Sequence, residues 1–119
     1  MKHLLSIGSN SPDRQERMAL ARQWLSGQFT LLGCSGVYST KALNGLSPDY
    51  LNMVAEVESP LTASEMSALC KRYEADNGRD RSAPTVAIDV DLIRSGPTIL
   101  RPAEYLRPYF LEGLRRMPR

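Results

Sequence analysis

The spacing of hydrophobic positions changes several times along the chain, and each change marks an element. His3 to Ile7 is a short apolar run closed by the turn-forming Gly8-Ser9-Asn10, and reads as a strand. Ser11-Pro12-Asp13 then has the chemistry of a helix start: a capping serine, a proline at the first helical position, and an acid near the positive end of the helix dipole. Met18, Ala21, Trp24 and Leu25 follow at helical spacing, so this helix buries one stripe. Leu31 to Thr40 and Tyr50 to Glu58 read as two strands, joined as a hairpin through a long loop that holds Asn44-Gly45. Thr62-Ala63-Ser64-Glu65 is a capping box, in which Thr62 and Glu65 satisfy each other's exposed backbone amides. Met66, Leu69, Cys70 and Tyr73 continue that helix at i, i+3, i+4 and i+7 until Asn77-Gly78 stops it. Val86 to Ile93 alternates as a strand, Gly96-Pro97 turns, and Pro102 to about Arg116 is predicted to be helical.

The order is βαββαβ with a helix at the end. It predicts an α+β fold: a ferredoxin-like antiparallel sheet with helices on one face, plus a C-terminal helix. With 119 residues, 42% of them hydrophobic, and neither a repeat nor a linker, residues 1–119 read as a single domain. No apolar run approaches the ~18 residues of a spanning helix, and the N-terminal stretch is a poor signal peptide, so no membrane association is expected. Cys34 and Cys70 lack CxxC spacing and read as reduced, buried thiols of a cytoplasmic protein. A lone histidine, His3, rules out a His-rich metal site and, lying near the terminus, argues against Ser-His-Asp catalysis. Fifteen basic against thirteen acidic residues, a formal net charge of +2, argue against a nucleic-acid partner but leave room for a local basic patch that holds a polyphosphate. Nothing in the composition sets an oligomeric state.

Ile88-Asp89-Val90-Asp91-Leu92 carries the strongest chemical signal. Strand alternation projects Asp89 and Asp91 together and the three apolar residues the other way. Two like charges this close repel unless a cation sits between them, and hard carboxylate oxygens beside substrate phosphates suit Mg²⁺. The competing reading is a polar stripe facing solvent. In the Tyr50 strand, Leu51, Met53 and Ala55 make one face and Tyr50 and Asn52 the other. If both apolar faces meet the helices, Tyr50, Asn52, Asp89 and Asp91 share the open face of one sheet. Such a set suits a flat, hydrogen-bonding ligand next to a metal–phosphate group, although exposed strand residues would give the same pattern. Lys71, Glu74, Arg79 and Arg81 add charge near the start of the Asp strand, where arginine forks fit phosphate. The chain has no GxxxxGK[ST] loop and no GxGxxG turn, so any phosphate chemistry rests on the Asp pair, a metal and arginines.

Taken in order, Leu5-Ser6-Ile7-Gly8-Ser9-Asn10, Val37-Tyr38-Ser39-Thr40, Pro48-Asp49-Tyr50-Leu51-Asn52, Glu74 through Gly78-Arg79, and Ile88-Asp89-Val90-Asp91-Leu92-Ile93 resemble the 6-hydroxymethyl-7,8-dihydropterin pyrophosphokinases of the folate pathway, from about residue 4 to residue 115. The resemblance implies transfer of a pyrophosphoryl group from ATP to the pterin's hydroxymethyl oxygen, with release of AMP. It implies that Asp89 and Asp91 hold two Mg²⁺ ions, and that Tyr50 and Asn52 line the pterin pocket. Thr40 and Leu43 would offer backbone contacts to the ring, and Tyr109 would stack on its other face. Lys71, Glu74, Arg79, Leu92 and Arg101 would fall on the nucleotide side, with Arg79 and Arg81 joining the Asp pair in catalysis.

The chain departs from the family pattern in its short Gly78–Asp89 connection, which has no tryptophan and has Thr85-Val86 where an arginine is expected. It departs also in Ala103-Glu104 at a His-Tyr pair and in Lys41 at a proline. These departures favour one alternative, a relative that binds pterin or nucleotide without turnover. A second alternative is a ferredoxin-like interaction or RNA-binding module. Glu56, Glu58, Asp89 and Asp91 on the sheet count against it.

Overall fold

The structure is a computed structural model that describes residues 1–42 and 44–118. Its elements are β1 (Lys2–Ser9), α1 (Arg14–Gln28), β2 (Thr30–Cys34), β3 (Tyr38–Thr40), β4 (Tyr50–Glu58), α2 (Ala63–Asp76), β5 (Asp89–Ser95), β6 (Thr98–Ile99), α3 (Pro102–Tyr105) and α4 (Pro108–Arg115). The strands form one antiparallel sheet in the order β2-β4-β1-β5-β6, with β3 also paired to β4. The expected α+β architecture is therefore present.

Alternation sets the two faces. Leu5, Ile7, Met53, Ala55, Val57, Val90 and Leu92 point to one side and bury against Met18, Ala21 and Leu25 of α1 and Met66 and Cys70 of α2. Trp24 of α1 stacks on Tyr73 of α2 with ring centroids 4.3 Å apart, tying the two helices together. The opposite face is only partly open. Its lower half, Leu4, Val54 and Ile93, is covered by Phe110 of α4. α1 and α2 thus lie on one face, whereas α3 and α4 lie on the other, where α4 caps half of the sheet and leaves the rest as a basin.

Several boundaries differ from the sequence expectation. β1 runs through Gly8 and Ser9 instead of stopping before them, because both remain paired to β4. α1 starts at Arg14 with Asp13 as its cap residue. The Ser11 hydroxyl donates to the Asp13 carboxylate at 2.5 Å instead of capping the helix. The predicted Leu31–Thr40 strand is split at Ser35–Val37, where the Ser35 amide donates to the Val54 carbonyl and the Ser35 hydroxyl accepts from the Val54 amide. β5 begins three residues later than expected, because the Val86 amide and carbonyl are taken by Asn10. The terminal helix breaks at Leu106-Arg107. Pro108 has no amide to continue it and drives Arg107 to an extended ψ of 137°.

A register shift between Leu4 and Leu5 against β5 makes Ile93 an extra residue. Ile93 and Arg94 then both serve the α4 side, where Arg94 pairs with Glu56, and Ser95 turns back to meet His3. His3 is fully buried with Nδ1 2.8 Å from the Ser95 hydroxyl, and its Nε2 has no partner among the described residues. Burial lowers its pKa below the ordinary 6.5. The unfolded chain therefore takes up this proton first. Stability contributed by neutral His3 is complete above about pH 6.5 and falls as pH drops toward the folded value. A plot of Tm against pH should decline more steeply below pH 6.5 in the wild type than in His3→Gln; parallel curves would remove His3 from the acid sensitivity.

α4 sits close because residue 113 is glycine. A Cβ there would overlap the Val54 side chain and the Tyr38 hydroxyl. Gly113→Ala gains ~1 kcal/mol in helix propensity, but overpacking of ~1–3 kcal/mol outweighs it. A lower Tm is the expected result of a thermal melt, and an unchanged or higher one would show that α4 can shift outward freely.

Candidate active site

β1 runs down the middle of the basin, and its small residues make the floor. Gly8 pairs with Asn52 on one side and Asp89 on the other; Ser6 pairs with Val54 and Asp91. A Cβ at Gly8 would sit 3.2 Å from Asn52 Oδ1 and 3.6 Å from the Tyr50 ring, so glycine keeps the space between amide and carboxylate clear. The resulting cavity of about 630 Å³ is walled by Tyr50 and Asn52 of β4, Asp89 and Asp91 of β5, Arg79 and Arg81 before β5, and Arg101, Glu104 and Tyr109 after it.

On the β5 side the site is a cluster of carboxylates. Glu74, Asp89 and Asp91 offer oxygens that all lie within 4.8 Å of one another. Glu74 comes from the buried stripe of α2 and accepts the Val90 amide at 2.7 Å, which locks helix to strand. Burial first, then the charges of Asp91 and Glu74, push the Asp89 carboxyl up to about 7. Lys71 answers this charge, 3.3 Å from both Glu74 and Asp91, and Arg101 reaches the same Asp91 oxygen at 3.3 Å. Burial works to lower the Lys71 pKa, but the two carboxylates together raise it. Three hard oxygen donors on rigid elements fit Mg²⁺ or a similar cation. A divalent ion there would favour ionised Asp89.

The β4 side is neutral and directional. The Asn52 side-chain amide donates to the Thr40 hydroxyl at 2.6 Å, which fixes its plane and leaves its remaining groups at the cavity wall. Burial, then the Asp89 charge, raises the Tyr50 pKa and keeps the phenol protonated. Opposite, the Tyr109 carbonyl accepts from the Tyr38 hydroxyl at 2.6 Å, and the Tyr109 hydroxyl donates to Glu104. The Arg79 Nε and Nη1 atoms are buried without a partner among the described residues, although the side chain lines the cavity. Buried guanidinium donors left unpaired favour an anion.

The structure brings Thr40, Tyr50, Asn52, Lys71, Arg79, Arg81, Asp89, Asp91, Arg101 and Tyr109 to one cavity. Leu92 is not among its lining residues: its side chain is buried in the core on the far face, leaving only its backbone near the basin. Leu43 lies outside the described residues. Glu74 stands with the Asp pair as a third carboxylate. Sequence reasoning missed this, although Met66, Cys70 and Glu74 share one helical stripe, which marks the acid as buried. Ser6, Gly8 and Glu104 were also missed as lining residues. A glycine and a serine in mid-strand have no local signature until their neighbours are known.

Fold and basin together define a class of α+β proteins with a polar cavity beside a carboxylate cluster on a half-covered sheet. The family model of 7,8-dihydro-6-hydroxymethylpterin-pyrophosphokinase (HPPK) matches residues 4–118, and the chain belongs to that family. Members are ATP-dependent pyrophosphokinases that transfer pyrophosphate from ATP to hydroxymethyldihydropterin in folate synthesis and in general use Mg²⁺. Among the described residues, no helix is long and apolar enough to cross a membrane.

Proposed function

We propose that this chain is itself an active pyrophosphokinase that moves the β,γ-pyrophosphoryl group of ATP to the hydroxymethyl oxygen of 6-hydroxymethyl-7,8-dihydropterin. The observation that carries this reading is the meeting, in one cavity, of a neutral hydrogen-bonding wall with the Asp89–Asp91 pair, backed by Glu74, and with Arg79, two of whose guanidinium nitrogens are buried without a partner among the described residues. The pterin belongs against Tyr50, Asn52 and Tyr109: Asn52, held by Thr40, reads the ring edge, and Tyr109 faces the ring plane. The polyphosphate belongs toward Arg79, Arg81, Lys71 and Arg101. Asp89 and Asp91, with Glu74 beside them, would hold two Mg²⁺ ions, which when bound neutralise the triphosphate charge. In the reaction the pterin oxygen forms a bond to the β-phosphorus as the bond from that phosphorus to the AMP oxygen breaks, and the hydroxyl proton leaves to solvent. Alignment of the two substrates by Asn52 and the arginines supplies much of the acceleration. We place the enzyme in the cytoplasm, in keeping with its two free cysteines.

The test is AMP formation from ATP and Mg²⁺ with and without 6-hydroxymethyl-7,8-dihydropterin. Pterin-dependent AMP is the expected result. Pterin binding by folded protein with no AMP would overturn turnover in favour of a binding role. That second reading draws on the engagement of Lys71 and Arg101 by Asp91, which leaves Arg79 and Arg81 as the arginines in the cavity not paired with that carboxylate.

A further inference from the structure

Lys71 sits inside the carboxylate cluster. Its ammonium is 3.3 Å from Glu74 Oε2 and 3.3 Å from Asp91 Oδ1, and Arg101 Nη1 is 3.3 Å from that same Asp91 oxygen. These are the oxygens that a divalent ion would take, and two cations of the chain already share one of them. We infer that Lys71 is a built-in competitor for the divalent ion, assisted by Arg101, so that the cluster accepts metal only when a polyphosphate draws these side chains away. The inference rests on the reading of the carboxylates as a metal site.

Exposure separates this arrangement from a structural ion pair. The Glu74 and Asp91 side chains are 3% and 8% exposed, whereas those of Lys71 and Arg101 are 45% and 48% exposed. Glu74 is further pinned by the Val90 amide at 2.7 Å. The anions are fixed and the cations are free to swing into solvent. Lys71 and Arg101 set two positive charges against the three carboxyl groups, and what is left attracts poorly an ion that sheds its water reluctantly. A bound triphosphate offers the ammonium and guanidinium new partners in the same cavity and frees the Asp91 oxygen. Metal and nucleotide then each strengthen the other's binding by the same factor. The placement of one lysine thus makes metal entry conditional on nucleotide and guards the nucleotide-free site against adventitious ions.

The probe is Mn²⁺, an oxygen-seeking ion whose free form is counted by electron paramagnetic resonance, titrated into nucleotide-free protein checked for folding by circular dichroism. Lys71→Gln should bind Mn²⁺ at least tenfold more tightly than the wild type, and Lys71→Arg should stay as weak as the wild type. Adding Asp91→Asn to Lys71→Gln should erase the gain. A non-hydrolysable ATP analogue should tighten Mn²⁺ binding by a smaller factor in Lys71→Gln than in the wild type. Arg101→Gln, which lies outside α2, should shift affinity in the same direction and carries the test if Lys71→Gln does not fold. Equal Mn²⁺ affinity in the wild type and both glutamine variants, still abolished by Asp91→Asn, would overturn the competitor role and leave the metal site standing. Absence of Mn²⁺ binding in every folded variant, with or without the analogue, would overturn both.

Discussion

Asp91→Asn is expected to lower pterin-dependent AMP formation by about a thousandfold, roughly 4 kcal/mol of transition-state stabilisation, without lowering Tm. Asparagine keeps the shape of the side chain and removes its charge. Asp91 is the buried carboxylate on which the site converges: Lys71 and Arg101 both touch it, and Asp89 and Glu74 crowd it. Losing it removes negative charge where cations must gather around the triphosphate. The fold should not suffer, because neutralising one of three crowded carboxylates relieves repulsion. Lys71 keeps Glu74 as its partner, and Arg101, about half exposed, turns to water, so the lost pairs weigh little. Activity within tenfold of the wild type would remove Asp91 from the chemistry. A collapse of Tm would make the cluster structural.

Phe110→Ala is expected to cost about 3–5 kcal/mol, a large share of the ~5–15 kcal/mol that holds a domain together. Phe110 is fully buried and is the central side chain of the cluster that fastens α4 over Leu4, Val54 and Ile93, with Tyr105 edging its ring at 5.4 Å. The large core under α1 and α2 lies across the sheet and cannot refill the hole. Urea unfolding measures the loss directly, and Tm should drop by about 10 °C or more. Because Tyr109 is the neighbouring residue and its carbonyl is held by Tyr38, pterin affinity should fall with α4 anchoring. A change under about 1 kcal/mol would mean that α4 contributes little to the fold.

Local physics made much of this molecule legible. The capping box at Thr62 and Glu65 forms as read, with amide-to-side-chain distances of 3.2 and 2.9 Å, because every atom involved lies within four residues. Period-two alternation placed Tyr50, Asn52, Asp89 and Asp91 on one face for the same reason. Where β5 starts was not legible, because the competitor for the Val86 backbone is Asn10, seventy-six residues away. The break before Pro108 had a local signal in the proline itself, but the apolar spacing on either side masked it.

The sequence by itself determined the order of the main strands and helices, the faces to which Tyr50, Asn52, Asp89 and Asp91 point, and the pairing of two aspartates on one strand, since each depends on neighbours along the chain. Only the tertiary structure decided that β1 lies between β4 and β5, with glycine and serine flooring the basin. It alone brought Glu74, Lys71 and Arg101 to Asp91 from two further segments of the chain. Burial is the reason. Charges that water would have kept apart are held within a few ångströms because the core on the far side of the sheet fixes the elements that carry them.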